Sequence, residues 1–363
     1  MCCQRELENR FPMGISMGKS GWRNTIHFRR FWLALSLIIV IAPGLIRAQR
    51  QPVWKDQSPH ISRFVRVNGI RLNFLDWGGH GKALLFLTGL GESPHLFDDI
   101  APEFTDHFHV LSLERRGQGQ SDKPSSGYDT DTLVEDIFQF LHLVRSKRVI
   151  LVGFSMAGNE LTRFAVVHPE ITEKLIYLDA AYDYADPSFI HILDTYPVDL
   201  SRTAEDLRSL EALRDWYKRV WWPGMQWNDA MEAQLRDATS VGLDGHVKLL
   251  TTPEIETALF RGLIRYHPEY EKVEAPALSF YALWYVGAFL PPKTTSTQQS
   301  RVERWIERVG LPWQVQNVTL FRARMSKGNA LEMRDTNHSC FLQKRQEVVR
   351  AMRLFLFSTP SIK

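Results

Sequence analysis

A chain of 363 residues is long enough for one large domain or two domains of ordinary size. Its hydrophobic fraction of 44% and charged fraction of 23% are those of a packed protein, which excludes an intrinsically disordered chain. The net charge of +3 is concentrated at the start: residues 1–48 hold seven basic and two acidic residues, a net +5, which leaves −2 for the remainder. Because no basic field is left on the body of the protein, we expect no nucleic-acid partner.

Residues 1–48 have the pattern of an export signal. The basic pair Arg29-Arg30 precedes an apolar run at 31–42, and the small residue Ala48 follows before a polar segment. This order is typical of a secretory signal peptide. The run is short for a transmembrane span, although an uncleaved N-terminal membrane anchor is an alternative. The sequence therefore predicts an exported protein, periplasmic or secreted, with no other membrane association.

Cysteine usage argues against disulfides and metal. Cleavage of the signal, or a start at Met13 or Met17, removes Cys2 and Cys3 and leaves Cys340 alone. A single cysteine cannot form an internal disulfide, and Cys340 has no partner for a zinc site. Glycine spacing typical of a phosphate-binding loop is also missing. We therefore expect neither a metal nor a cofactor.

The first half of the body predicts a series of strands. Four are expected, at residues 64–67, 70–77, 83–87 and 108–113. The first two flank Asn68-Gly69 and form a β-hairpin. The third is apolar throughout, as a central strand should be, and runs into a glycine-rich loop at 88–93.

A strand, a tight turn and a helix follow. Apolar residues at helical spacing predict a helix at 130–144, and the apolar run 149–152 predicts a strand buried on both faces. The sequence GFSMAG then places Ser155 at the apex of a sharp turn before a helix at 159–168. A serine between small residues in this setting is the pattern of a nucleophile elbow, with Ala157 where the strict motif has glycine.

These elements resemble the α/β-hydrolase superfamily. The resemblance rests on the order of strand, glycine loop, strand, helix, strand and elbow, and on the RRGQGQSDKP loop at 115–124, which is a narrower signature than the elbow alone. It covers residues 62–182 well and 310–358 moderately. It implies an α/β fold with a mostly parallel central sheet flanked by helices, and a helical cap inserted after the sixth strand.

The domain organisation follows from this resemblance. After a sixth strand at 174–178, composition changes to a charged, helical segment with four tryptophans: Trp216, Trp221, Trp222 and Trp227. They either line a substrate pocket or form the cap's own core. The predicted organisation is the leader at 1–48, the first half of the hydrolase core at 49–182, the cap at 183–275 and the second half of the core at 276–363.

The remaining predicted elements complete the sheet and its helices. We expect a seventh strand at 277–283, helices at 300–309 and 313–325, a last strand at 329–333, a loop at 334–339 and a closing helix at 343–357. In the superfamily that this chain resembles, the catalytic histidine follows the last strand. His338 stands at that place.

The acid of the expected triad is less clear than its base. A serine hydroxyl needs a base to become a nucleophile, and the base needs a carboxylate to orient it. The usual position for that carboxylate is the loop after the seventh strand, yet residues 284–295 contain no Asp or Glu. The resemblance offers the end of the sixth strand instead, where Asp179 is the first choice and Asp183 the second. Two acids close to His338 in sequence, Glu332 and Asp335, are further alternatives.

The resemblance also suggests the oxyanion hole and the reaction. The backbone N–H groups of Met156 and Leu90 are expected to stabilise the developing negative charge. With Ser155, His338 and Asp179, they predict a serine hydrolase that cleaves a carboxylic ester, or a related acyl bond such as an amide or lactone, of a small molecule through an acyl-enzyme. Serine at the elbow argues against the dehalogenase and epoxide-hydrolase branches, which use aspartate. The alternatives are a cofactor-free perhydrolase, a carbon–carbon bond hydrolase, or a non-catalytic binding protein on a hydrolase scaffold.

Overall fold

The computed structural model describes residues 54–357 of the chain. The chain divides into two compact units, Met1–Gln57 and Ser58–Lys363, and the second unit carries the fold. The predicted export signal lies outside the described residues. Among residues 54–357, no helix combines the length and apolar character that crossing a bilayer requires.

An eight-stranded sheet forms the centre of the fold, in the order β1-β2-β4-β3-β5-β6-β9-β10. Only β2 runs against the other strands of this sheet, so the expectation of a mostly parallel sheet is confirmed. The strands span Ile61–Val67 (β1), Ile70–Gly78 (β2), Lys82–Leu87 (β3), Phe108–Leu113 (β4), Val149–Phe154 (β5), Thr172–Leu178 (β6), Ala277–Ala282 (β9) and Gly328–Met333 (β10). The β1–β2 turn places Asn68 and Gly69 at φ 47° and 79°, the left-handed conformation that a two-residue hairpin requires.

Helices cover both faces of this sheet. The α-helices span Thr130–Leu143 (α1), Ala157–Val167 (α2), Pro187–Asp194 (α3), Leu210–Val220 (α4), Asp229–Asp237 (α5), Pro253–Leu263 (α6), Ser296–Trp305 (α7), Leu311–Arg324 (α8), Cys340–Gln343 (α9) and Arg345–Phe357 (α10). The stretch at 94–104 forms two short 3-10 helices, Pro94–Phe97 and Ala101–Phe104.

Alternation along the central strands divides the interior into two apolar layers. Leu85, Leu151 and Leu175 belong to one layer, which α1, α2 and α8 cover. Their neighbours Leu84 and Ile150 belong to the other, which α4, α5 and α10 cover. Successive strand residues point to opposite faces, so a strand that is apolar throughout must be buried on both. The sheet is thus held between two cores, and its carboxyl edge is the place where loops can meet.

The segment between β6 and β9 holds four helices, α3 to α6, as the helical pattern of the predicted cap led us to expect. It also holds an antiparallel pair of three-residue strands, Thr239–Val241 (β7) and Val247–Leu249 (β8), which were not predicted. Trp216 and Trp222 are only 1% and 2% exposed, so these two tryptophans belong to the packed interior. Trp221 is exposed at the surface.

One helical boundary differs from the prediction. Helices were expected at 300–309 and 313–325, but α7 continues through a π-helical turn at Ile306–Gly310 directly into α8. Gly310 allows close packing there, since a β-carbon on it would lie 2.9 Å from both the Trp284 and the Trp305 rings. The π-turn thus brings the tryptophans of the β9 loop and of α7 together.

Candidate active site

The turn at Ser155 has the geometry of a nucleophile elbow. β5 ends at Phe154, Ser155 takes a left-handed φ of 55°, and α2 begins two residues later. A non-glycine residue in this conformation is strained and is kept where surrounding structure requires it. Gly158 shows the constraint, because a β-carbon there would lie 1.8 Å from the Ala180 carbonyl oxygen. The turn therefore raises the Ser155 side chain above the carboxyl edge of the sheet, where it is partly exposed.

His338 and Asp179 form a direct pair. His338 lies in the loop after β10, and its Nδ1 is 2.6 Å from Asp179 Oδ2. Asp179 directly follows β6, is fully buried, and also accepts hydrogen bonds from the Tyr182 hydroxyl at 2.5 Å and the Ala282 N–H at 2.9 Å. An ionised carboxylate can only accept, so His338 donates from Nδ1 and presents Nε2 as the basic nitrogen.

The pair lies beside the elbow. The His338 ring packs against Phe154, with ring centroids 4.6 Å apart, and Phe154 directly precedes Ser155. The side chain of Tyr184 interacts with the Ser155 hydroxyl, while burial raises the pKa of the Tyr184 phenol and the nearby Asp179 carboxylate raises it further. Ser155, His338 and Asp179 are thus gathered at the ends of β5, β10 and β6.

The other candidate acids have different partners. Asp183 Oδ2 lies 2.9 Å from Nδ1 of His267. The Glu332 carboxylate pairs with Arg322 at 2.9 Å. Within residues 54–357, the acid paired with His338 is Asp179. His338 thus has a carboxylate partner, Asp179 directly after β6, although residues 284–295 contain no acid.

Two backbone N–H groups occupy the positions expected of an oxyanion hole. Met156 follows the elbow serine, and Leu90 lies in the loop after β3. Within the part of the chain that the structure describes, neither N–H donates a hydrogen bond. Both are therefore available to an oxygen that gains negative charge at the substrate carbon.

The loop at residues 88–93 contains Leu90, and we call it the oxyanion loop after the role expected of the Leu90 N–H. Two buried side chains of the segment at 115–120 hold this loop by hydrogen bonds. Arg115 donates to the carbonyl oxygens of Thr88 and Gly89 at 3.0 and 3.3 Å, and Gln118 donates to those of Gly89 and Glu92 at 3.1 and 2.9 Å. Gln118 Oε1 also accepts from the Gly91 N–H at 3.3 Å. The resemblance singled out the segment at 115–124. Its contacts with the loop at 88–93 are seen only in the structure.

Arg115 is buried together with a carboxylate. Its guanidinium lies 2.6 Å from Glu160 Oε1 on α2, and both side chains are almost completely inaccessible. Burial raises the pKa of Glu160, while the adjacent Arg115 lowers it. A buried guanidinium needs such a partner, since its desolvation is otherwise costly. The ion pair therefore links the oxyanion loop to the helix that starts at the elbow.

One acidic residue of the site was not predicted. The Glu92 carboxylate accepts from the Gly89 N–H at 3.0 Å, inside the oxyanion loop. Burial raises its pKa to about 7, against the opposing effects of His338, the Gly89 N–H and Arg115. In the sequence, Glu92 is visible only as an acidic residue directly after the glycines of this loop. Its proximity to the nucleophile depends on how the loop folds back.

A cluster of buried aromatic side chains includes Tyr184, which interacts with Ser155. Tyr182 stacks on Trp313 with centroids 4.6 Å apart, Tyr184 packs edge-on to Phe189, and Trp284 stacks on Trp313. These rings come from the β6 loop, α3, the β9 loop and α8. Packed on one another in this way, they join these four segments of the chain beside the elbow.

A separate group of metal-ligating side chains has internal partners. His95 Nδ1 lies 2.8 Å from Asp98 Oδ2, and Asp98 Oδ1 accepts from the Ser58 hydroxyl at 2.9 Å. His60 Nε2 is 3.7 Å from the same Oδ1. Both Asp98 oxygens thus have partners on the neighbouring side chains.

Comparison with known proteins places these features in context. The family model for the alpha/beta hydrolase fold matches residues 82–232, from β3 into α5. A 2-(acetamidomethylene)succinate hydrolase of Mesorhizobium japonicum is 27% identical over 152 residues, which is 42% of this chain and 54% of the relative. The AB hydrolase superfamily protein YisY of Bacillus subtilis is 34% identical over 110 residues, 30% of this chain and 41% of the relative. The chain spans about half the length of the curated relatives it matches.

Solved structures extend the similarity of the fold. The crystal structure of E-2-(acetamidomethylene)succinate hydrolase matches with a TM-score of 0.59 at 18% identity, over 82% of this chain and all of the other. The carboxylesterase CesB from Bacillus subtilis matches with a TM-score of 0.57 at 11% identity, over 82% of this chain and 92% of the other. At these identities the likeness concerns the fold alone.

Proposed function

This chain is a member of the α/β-hydrolase superfamily, and from that premise we propose that it is a serine hydrolase that cleaves a carboxylic ester of a small molecule. The single observation that carries the proposal is the 2.6 Å contact between His338 Nδ1 and the buried Asp179 carboxylate, beside the Ser155 elbow. A histidine oriented in this way is the base that a serine nucleophile needs.

In the first half of the reaction, Ser155 Oγ attacks the ester carbonyl carbon while His338 Nε2 takes the hydroxyl proton. The carbonyl oxygen gains negative charge and accepts from the N–H groups of Leu90 and Met156. Asp179 stabilises the imidazolium without taking its proton. As the intermediate collapses, the bond to the leaving alkoxide breaks, His338 gives that oxygen its proton, and the acyl group stays on Ser155.

In the second half, water replaces the alcohol. His338 Nε2 takes a proton from the water as its oxygen attacks the acyl carbon, and the same oxyanion hole stabilises the second intermediate. The bond to Ser155 Oγ then breaks, and His338 returns the proton to Ser155. The products are a carboxylic acid and an alcohol, and every proton is accounted for without a cofactor.

A second candidate is hydrolysis of a carbon–carbon bond on the same residues. A 2-hydroxy-6-oxo-6-(2'-aminophenyl)hexa-2,4-dienoic acid hydrolase of Metapseudomonas resinovorans is 23% identical over 158 residues, 38% of this chain. Epoxide hydrolases are also among the relatives. Since Ser155 stands where those branches use aspartate, epoxide opening is disfavoured for this chain. The Asp179–His338 contact also weakens the binding-protein alternative, whose main support was the missing acid.

The location and the domain plan are part of the proposal. We propose that residues 1–48 direct export, with or without remaining as an anchor, and that residues 183–275 act as a cap over the site. Hydrogen bonds from Gln120 to the Asp237 carbonyl, at 3.1 Å, and from Asn228 to Asp99, at 2.6 Å, support this role of the cap. Fractionating cells that express the full chain, followed by N-terminal sequencing, tests the export proposal.

A fluorophosphonate probe tests the reaction class, because it labels only an activated serine. We expect the wild type to be labelled, Ser155→Ala to be unlabelled, and His338→Ala and Asp179→Asn to be labelled far more slowly. A folded wild type that the probe does not label would remove the enzyme proposal and leave the binding-protein alternative. Labelled protein that cleaves a carbon–carbon substrate but no ester would favour the second candidate.

A further inference from the structure

Glu92 and Ser155 approach the same point in space. An ideal β-carbon on Gly89 would lie 2.6 Å from Glu92 Oε2 and 3.1 Å from the Ser155 β-carbon. The carboxyl group and the nucleophile thus flank Gly89 on one side, above the oxyanion loop. An ester carbonyl in position for attack lies about 3 Å from the serine oxygen. Groups attached to that carbonyl therefore come within reach of Glu92.

The two oxygens of Glu92 are in different situations. Oε2 accepts from the Gly89 N–H, which fixes the carboxyl group on the loop. Oε1 has no hydrogen-bond partner within residues 54–357 and is not fully enclosed. A carboxyl oxygen beside a nucleophile, without a protein donor, is positioned to accept a hydrogen bond or positive charge from a ligand.

From this geometry we propose that Glu92 is a specificity-determining residue of the active site, which contacts the bound ester and favours substrates with a positively charged or hydrogen-bond-donating group beside the scissile bond. The same contact disfavours substrates with a carboxylate at that place. This inference rests on the proposed serine-hydrolase function and narrows its substrate class.

Most of the charged groups around Glu92 are paired with other residues. His338 and Arg115 face it from the β10 loop and the β4 loop, and Tyr217 of α4 faces it from the cap. The cap also brings Glu256, whose Oε1 would lie 3.4 Å from a β-carbon on Gly91, but Arg202 neutralises this carboxylate at 3.1 Å. Arg115 is likewise neutralised by Glu160. Within residues 54–357, Glu92 itself forms no salt bridge of this kind.

The preference should depend on pH. With a pKa raised to about 7 by burial, Glu92 is mostly neutral below that pH and mostly ionised above it. The electrostatic preference for a cationic over an anionic substrate should therefore grow as pH rises through 7. Ionisations of the unbound enzyme that affect all substrates equally cancel in the ratio of their kcat/KM values.

Two series of isosteric esters test the proposal. One carries the charge in the alcohol: acetylcholine, its neutral tert-butyl isostere and the acetate ester of glycolic acid. The other carries it in the acyl group: the methyl esters of betaine and of tert-butylacetic acid, and monomethyl malonate. Measuring kcat/KM for wild type, Glu92→Gln and Glu170→Gln from about pH 6 to pH 8, around the pKa of about 7, covers both sides of the scissile bond.

Each variant has a defined purpose. Gln keeps an oxygen that can accept from Gly89 N–H, so Glu92→Gln should preserve the loop. Glu170→Gln removes the same charge from a surface position, where the side chain is 64% exposed, and controls for net charge. We expect the cationic-to-anionic ratio of the wild type and of Glu170→Gln to rise with pH in at least one series. In Glu92→Gln it should be flat and about tenfold lower at the upper pH.

Several outcomes would overturn the inference. A ratio that is the same in Glu92→Gln and wild type, in both series, would mean that Glu92 only shapes the loop. A wild-type ratio that does not change with pH would lead to the same conclusion even if Glu92→Gln did not fold. If the wild type hydrolysed no ester and took no fluorophosphonate label, the proposed function itself would fall. Hydrolysis of the neutral esters without charge selectivity would remove only the role of Glu92.

Discussion

The indole N–H of Trp222 donates to the Ser339 hydroxyl oxygen at 3.0 Å, across 117 residues of sequence. Trp222 follows α4 in the cap, and Ser339 directly follows His338. Both residues are buried. This hydrogen bond therefore connects the segment proposed as a cap to the loop that carries the proposed base.

Replacing Trp222 by Phe should lower kcat while the protein remains folded. The ring volume is largely kept, but the hydrogen bond to Ser339, worth about 1 kcal/mol, is lost. We expect a roughly fivefold lower kcat with KM little changed. Trp216→Phe is the matched control, since its indole donates to the Ser201 carbonyl within the cap. Equal kcat losses in the two variants would show that the Ser339 contact has no special role.

Asp179 and Asp183 can be distinguished by one pair of variants. Asp179→Asn leaves the geometry of β6 intact but presents an amide to His338 Nδ1, which favours the wrong tautomer. By analogy with triads of this kind, kcat should fall about 10⁴-fold. Asp183→Asn alters a contact with His267 and should change kcat less than about threefold. Steady-state kinetics on a neutral ester measures both, and the reverse order would reassign the acid.

A pair of variants also tests whether Gln118 supports the oxyanion loop. Gln118→Met keeps the length of the side chain but removes its hydrogen bonds to Gly89, Gly91 and Glu92. Because the Leu90 N–H lies between these positions, kcat should fall about 10- to 100-fold while KM changes little. Gln120→Met, which loses a single contact with the cap, is the control. A change confined to KM would place Gln118 in substrate binding instead.

Glu92 should also affect the pH dependence of folding stability. Its pKa is about 7 in the folded protein against an ordinary 4.5, so the folded state holds this proton more tightly than the unfolded state. Stability from this group is therefore greatest at low pH and is lost as pH rises from about 4.5 to about 7. At about 1.4 kcal/mol per pKa unit, the loss is at most about 3.5 kcal/mol.

Chemical denaturation of the wild type and Glu92→Gln across this range isolates that contribution. Other buried acids, such as Glu114 and Glu160, titrate in both proteins and cancel in the difference. We expect the free energy of unfolding of the wild type to decline relative to the variant up to about pH 7 and then to run parallel to it. A constant difference would mean that the Glu92 pKa is not raised.

Local pattern was sufficient for much of the fold and for the ends of the elements that carry the site. Buried parallel strands are continuous apolar runs, so β3, β5 and β6 and the Ser155 turn could be predicted directly. The choice between Asp179 and Asp183 could not, because both follow β6 and only the left-handed φ of 48° at Asp179 decides how the chain leaves the sheet. The three-residue strands β7 and β8 are too short to show a period.

Glu92 illustrates the other limit of sequence reasoning. Its role depends on Gly89, Arg115 and Gln118 folding the loop back toward Ser155, which joins positions far apart in the chain. No spacing rule within residues 88–93 contains that information. Arg115 and Gln118 were part of the motif that carried the resemblance, yet the residues that they contact could not be predicted from it.

A proposed acid that follows β6 has a consequence for the loop after β9. Residues 284–295 contain no acidic side chain, and Trp284 and Phe289 of this loop pack against Trp305 of α7. A loop that must deliver a catalytic carboxylate tolerates little change, whereas this one is held by ring packing and by hydrogen bonds of Trp284 and Tyr285 to Gln314 and Gln343. Laboratory libraries can therefore vary the exposed positions of residues 284–295 without removing the Asp179–His338 contact.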